Sequence, residues 1–170
     1  MMLEPVNIME SRLDPEDLQV YDDETVYSEV QRKPRLTIGD VEMVSASVWW
    51  DPASGREKRD RSVVAIVFSD GEGNKYIQNV SYLKINKNSN EDEATQQCLQ
   101  VIKLLQRYYI PSIAVEANGL GYTFPSILQK ELGRAGLQVA VLKMHNTQNK
   151  DHRIIEAFDA PMAARALYVH

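Results

Sequence analysis

The sequence predicts an α/β domain. Its central mixed sheet opens as an antiparallel meander of three strands, continues with parallel strands, and carries helices on both faces. Three observations predict it. Residues 41–50, 62–68 and 75–85 are β-rich runs that follow one another without a helical period, and SDGEGN at 69–74 is a hairpin turn between the second and third. From residue 90 onward, helical periods alternate with short, uniformly apolar runs at 112–117 and 137–143, the pattern of strands buried on both faces. Strand–helix–strand succession imposes right-handed parallel connections, which lay helices over the sheet and give three layers.

Each element follows from local chemistry. The first 40 residues have no sustained period and hold Pro5, Pro15 and Pro34, so they read as an acidic arm or linker ahead of a domain at 41–170. The first two strands are joined by DPASGREKRDR, a long hairpin loop. Trp49 and Trp50 alternate across the first strand, so one belongs to the core and the other to the opposite sheet surface. Asn90 is the expected N-cap of the first helix, with Glu91, Asp92 and Glu93 in its first turn, where the helix dipole favours acids. Ala94, Cys98, Val101, Ile102, Leu105 and Tyr108 or Tyr109 form its apolar stripe, and Pro111 ends it. After the 112–117 run comes the glycine loop NGLG, then a helix over 123–134 closed by Gly136. NKDHRIIEAFDAPMAARALYV reads as a helix broken before Pro161, followed by a short strand. No internal repeat is present.

A chain of 170 residues with 44% hydrophobic and 25% charged residues has the composition of one globular domain. No apolar run approaches the roughly 18–20 residues that span a bilayer. The first residues lack the basic-then-apolar order of a secretory signal. The single cysteine, Cys98, excludes an intrachain disulfide, and no Cys/His spacing suits zinc. A cytoplasmic protein without a membrane partner is the expectation. The net charge of −5 is unevenly distributed. Residues 1–30 hold nine acids against Arg12 alone, whereas residues 31–170 hold 18 Lys and Arg against 15 acids. The folded part is therefore mildly basic, which neither requires nor excludes nucleic acid.

Two acids sit where the predicted topology gives them a use. Asp51 follows the first strand, and Glu116 interrupts the apolar run IAVEA just before the glycine loop. If the first and fourth strands are parallel neighbours, both acids emerge at the carboxyl edge, where α/β sheets place ligand sites. Two carboxylates brought together need a cation or a proton between them. Mg²⁺ or Mn²⁺ suits oxygen donors, and two ions about 3.5–4 Å apart hold both oxygens of a phosphodiester displacement. The competing readings are structural. Asp51-Pro52 also opens turns, and Glu116 also suits a solvent-facing strand end. In the loop, Arg56, Lys58, Arg59 and Arg61 have the chemistry of phosphate contacts around Asp60, and also that of a solvated charged loop. Lys143 at the end of the fifth strand has the same two readings. His145 and His152 read mainly as surface residues. The glycine loop is neither GxGxxG nor a P-loop, so a nucleotide cofactor is not indicated.

WWDPASGREKRDRSVVAIVF, followed about sixty-five residues later by IAVEANGLGYTFPSILQKEL, resembles the nuclease domain of viral large terminase subunits, the motors that package DNA into capsids. The resemblance spans residues 41–170 and implies an RNase H-like fold, shared with Holliday-junction resolvases and integrases. It implies a divalent-metal endonuclease acting on concatemeric double-stranded viral DNA, with an ATPase domain, a portal and a small terminase subunit as partners. Asp51, Asp60 and Glu116 match the family's acidic positions. In the implied mechanism Asp51 bridges two ions, Glu116 holds one and orients the water, and Asp60 acts nearby. The family's ATPase half is absent here. Its third essential acid normally lies further C-terminal, beyond the strand that ALYV begins, so the resemblance implies a C-terminally truncated nuclease domain. Asp151 is the late acid placed to substitute for it, although it also suits a helix N-terminus. Two alternatives stand beside this reading: a Holliday-junction resolvase or transposase-like nuclease, and an RNase H-like module that binds DNA or a partner without cutting.

Overall fold

The computed structural model describes residues 13–53, 61–117, 122–145 and 150–170, with the side chains of Lys150 and Asp151 outside that description. Among the described residues nine strands form one sheet: β1 (Gln19–Val20), β2 (Thr25–Val30), β3 (Lys33–Ile38), β4 (Val41–Asp51), β5 (Val63–Asp70), β6 (Lys75–Tyr82), β7 (Ser112–Glu116), β8 (Ala140–Met144) and β9 (Leu167–Val169). The helices are α1 (Glu93–Arg107), α2 (Phe124–Arg134) and α3 (Lys150–Ala163). β4, β5 and β6 form the antiparallel meander, and β7 then β8 add in parallel on the other side of β4. The resulting order, β6-β5-β4-β7-β8, is the mixed sheet that the sequence predicts, an antiparallel meander extended by parallel strands.

Alternation sorts the strand residues. Val48 and Trp50 of β4, Val64, Ile66 and Phe68 of β5, and Ile113 and Val115 of β7 are buried on one face. They share a cluster with Cys98, Val101, Ile102 and Leu105 of α1 and Phe124, Leu128 and Leu132 of α2. Each such side chain, fully buried, is worth about 1.5–3 kcal/mol, so this layer is the main source of stability. α3 leads from β8, at one end of the sheet, back to β9, which pairs with β6 toward the other end.

Several elements differ from the sequence expectation. β1, β2 and β3 fall within the stretch read as an arm, so part of it is sheet. β2 and β3 make an antiparallel hairpin whose inner strand joins the start of β4, and β1 lies parallel to β9 at the far edge. The N-cap of α1 is Asp92 rather than Asn90. Its carboxylate accepts from the Thr95 N–H at 2.9 Å and from the Thr95 hydroxyl at 2.6 Å, a capping set that Asn90 lacks this far from the helix. α3 runs through Pro161 instead of breaking before it, since the residue falls in the last turn and disrupts only one helical bond. α2 ends at Arg134, and Gly136 takes a φ of 68°, as predicted for its closure.

Candidate active site at the carboxyl edge

β4 and β7 are parallel neighbours, with Trp49 level with Ala114 and Trp50 level with Val115. Continuing that register by one residue along each strand sets Asp51 level with Glu116. Trp50 and Val115 are wholly buried toward α1 and α2. The period of two therefore turns Asp51 and Glu116 to the opposite face together. Adjacent strands are about 4.8 Å apart, so the two carboxylates rise from neighbouring positions at one sheet edge.

Two hydrogen bonds between core and loop fix the end of β4. The Trp50 indole Nε1 donates to the Ser62 hydroxyl at 2.9 Å, tying the last turn of β4 to the start of β5. The ring packs edge-on against Phe124, centroids 5.2 Å apart, linking β4 to the start of α2. Gln97 of α1, only 1% exposed, donates through Nε2 to the Ala53 carbonyl at 3.0 Å. Gln97 therefore anchors the chain two residues beyond Asp51. It was missed in the sequence because a polar residue on an apolar stripe looks like a solvent-facing break; its spacing of four from Val101 was the available signal.

Glu116 is held in turn by the strand beside it. The Ala117 N–H donates to the Met144 carbonyl at 2.9 Å, which extends the β7–β8 ladder past the acid. Lys143 stands one residue before Met144, and its Nζ lies 5.6 Å from the centroid of the exposed Tyr122 ring. The His145 ring is 6.3 Å from that same ring. Arg61 places its guanidinium 5.8 Å from the Tyr82 centroid. His152 is engaged with Glu156 at 3.2 Å on the exposed side of α3.

The structure thus brings Asp51 and Glu116 together, with Arg61 by β6, whereas Lys143 is level with Val115 and so lies on the face turned to the helices, away from the two acids. Arg56, Lys58, Arg59 and Asp60 lie outside the described residues, as does the side chain of Asp151. Two carboxylates on one face offer the hard oxygen donors that Mg²⁺ or Mn²⁺ requires. Among the described residues no group of three or more His, Cys, Asp or Glu completes a metal cluster.

No family model and no curated protein matches the chain. Among solved structures it is similar to T. thermophilus RuvC in complex with a Holliday junction substrate, at 16% identity and a TM-score of 0.44, over 72% of this chain and 78% of that one. It is also similar to the yeast mitochondrial Holliday junction resolvase Ydc2, at 10% identity and a TM-score of 0.43, over 99% of this chain and 74% of that one. Among the described residues no helix is long and apolar enough to cross a membrane.

Proposed function

We propose that this chain is a divalent-metal-dependent DNA endonuclease in which Asp51 and Glu116 hold the metal. The observation that carries the reading is the level, same-face placement of these two acids at the carboxyl ends of adjacent parallel strands. A bound Mg²⁺ or Mn²⁺ would supply Lewis acidity toward a phosphodiester. The chain itself supplies the carboxylates and the contacts that fix Asp51 through Trp50, Ser62 and Gln97. Arg61 supplies a cation for a flanking phosphate, and Asp60, with Asp151 as a late acid, is the proposed complement to the pair.

DNA of a packaging system is one candidate substrate, suggested by the DPA and VEANGLG motifs. The packaging partners, an ATPase domain, portal and small terminase subunit, belong to that form of the proposal. Branched DNA is the competing substrate, the one named for the resolvases above.

Nicking and linearisation of supercoiled plasmid in Mn²⁺ tests the reading. Cleavage is expected, and it should vanish with EDTA and fall at least about a hundred-fold in Asp51→Asn and in Glu116→Gln. Cleavage that survives either substitution in a folded protein overturns the assignment. Absence of cleavage by the unaltered chain favours a binding module instead. Linear duplex against a four-way junction then separates the two substrates.

A further inference from the structure

We infer that Tyr82 and Arg61 form a nucleotide platform beside the acid pair, and that the substrate presents an unpaired base there. The inference rests on the DNA-cleaving reading of Asp51 and Glu116 and adds which kind of DNA the site accepts. Asp51 pairs with Val63, and Val63 pairs with Tyr82, so the three are level across adjacent strands. Direct partners point to one side of a sheet, which places the Tyr82 ring on the same face as the two carboxylates. With strands about 4.8 Å apart, β6 lies about 10 Å from β4, a reach suited to a neighbouring nucleotide rather than the scissile one.

Tyr82 is 57% exposed, an unusual state for an aromatic side chain in a meander strand whose opposite face is core. Val80, two residues earlier on the same face, is 52% exposed and continues the apolar surface below it. The Arg61 guanidinium beside the ring adds a cation for a phosphate and a planar group that stacks. An aromatic ring carrying a cation is the arrangement that single strands use, because every base offers a π face. Within intact duplex both faces of a base are already stacked, so the ring gains a partner only where a strand has opened.

The test measures binding in EDTA, where nothing is cut, by fluorescence anisotropy. The probes are a fully paired duplex and the same duplex with a central bulge that carries 2-aminopurine at an unpaired position. Tyr82→Ala should weaken binding to the bulged duplex about five-fold or more and abolish quenching of the 2-aminopurine, while the paired duplex changes less than about two-fold. Tyr82→Phe keeps the ring and should behave as the unaltered chain. Equal effects on both duplexes, or none on either, overturn the platform while leaving the plasmid result intact. If the unaltered chain neither binds DNA nor cuts plasmid, the nuclease reading itself falls.

Discussion

Replacing Ser62 by Ala removes one oxygen atom, yet the structure predicts a measurable loss of stability. Ser62 is 6% exposed and Trp50 is wholly buried, so the indole N–H that donates to the Ser62 hydroxyl at 2.9 Å has no access to bulk water. A buried donor left unpaired costs about 1–3 kcal/mol, mostly lost solvation rather than lost bond energy. For a chain of this length each kcal/mol moves the melting midpoint by about 2–4 °C, so Ser62→Ala, at about 2 kcal/mol, should lower it by roughly 4–8 °C. Thermal unfolding followed by circular dichroism measures the shift, and equilibrium urea unfolding followed by tryptophan fluorescence measures the free energy. Trp50→Phe deletes the donor and opens a void against Phe124, which carries its own cost. The double variant should lose less than the sum of the two, by about 1–2 kcal/mol, because the orphaned N–H no longer exists. A Ser62→Ala midpoint within error of the unaltered chain, or a strictly additive cycle, would show that this hydrogen bond does not hold the end of β4.

Two further outcomes follow from burial and charge. Burial pushes the Cys98 thiol up to about 12, with the negative charges of Glu131 and Asp92 acting in the same direction. Cys98 should therefore resist thiol reagents at pH 8 and react only once the chain is unfolded in urea; rapid stoichiometric labelling of the native protein would contradict the packing of α1. At the β5–β6 turn, burial pushes the Asp70 carboxyl up, but hydrogen bonds from the Asn74 side chain and backbone, Tyr76 and the Glu72 N–H outweigh it and hold it below the usual range. A folded-state pKa below the unfolded one means that the unfolded chain binds more protons, so the stabilisation is fully present above about pH 4 and is lost as pH falls through the folded value. Asp70→Asn should accordingly be destabilised at pH 7, with the gap to the unaltered chain closing in acid. A gap independent of pH would place its origin elsewhere than in the carboxylate.

The meander and the two parallel strands were legible because their signals are local. SDGEGN states its own turn, and IAVEA and its neighbours cannot be amphipathic helices at that length. The β2–β3 hairpin was not legible, and its chemistry explains why. Its turn residues, Gln31 and Arg32, both adopt positive φ, 53° and 62°, without the Asn or Gly that normally marks such a turn. Pro34 argued against a strand, yet it pairs only with Glu29, beyond the three residues of β3 that pair with β4. There it interrupts no second ladder. Tyr82 was hidden for a different reason. Nothing in NVSYLKI distinguishes a tyrosine that closes a core from one that stands beside an acid two strands away; only the register of β4, β5 and β6 does.

Register also decides whether the two acids form a site at all. Their sequence contexts nominated Asp51 and Glu116 separately, but a slip of one residue between β4 and β7 would turn one of them toward α1 and α2. What prevents the slip lies one position earlier. Trp50 and Val115 are side by side and wholly buried, and Trp50 is further pinned by Phe124 and Ser62. Shifting either strand would exchange a buried apolar side chain for a carboxylate within the core, at a cost of several kcal/mol for the unpaired charge alone. The packing that holds the sheet to its helices thus also holds the acids level. Substitutions at Trp50 should therefore impair cleavage beyond their effect on the folded fraction, because they relax the alignment on which two carboxylates sharing one cation depend.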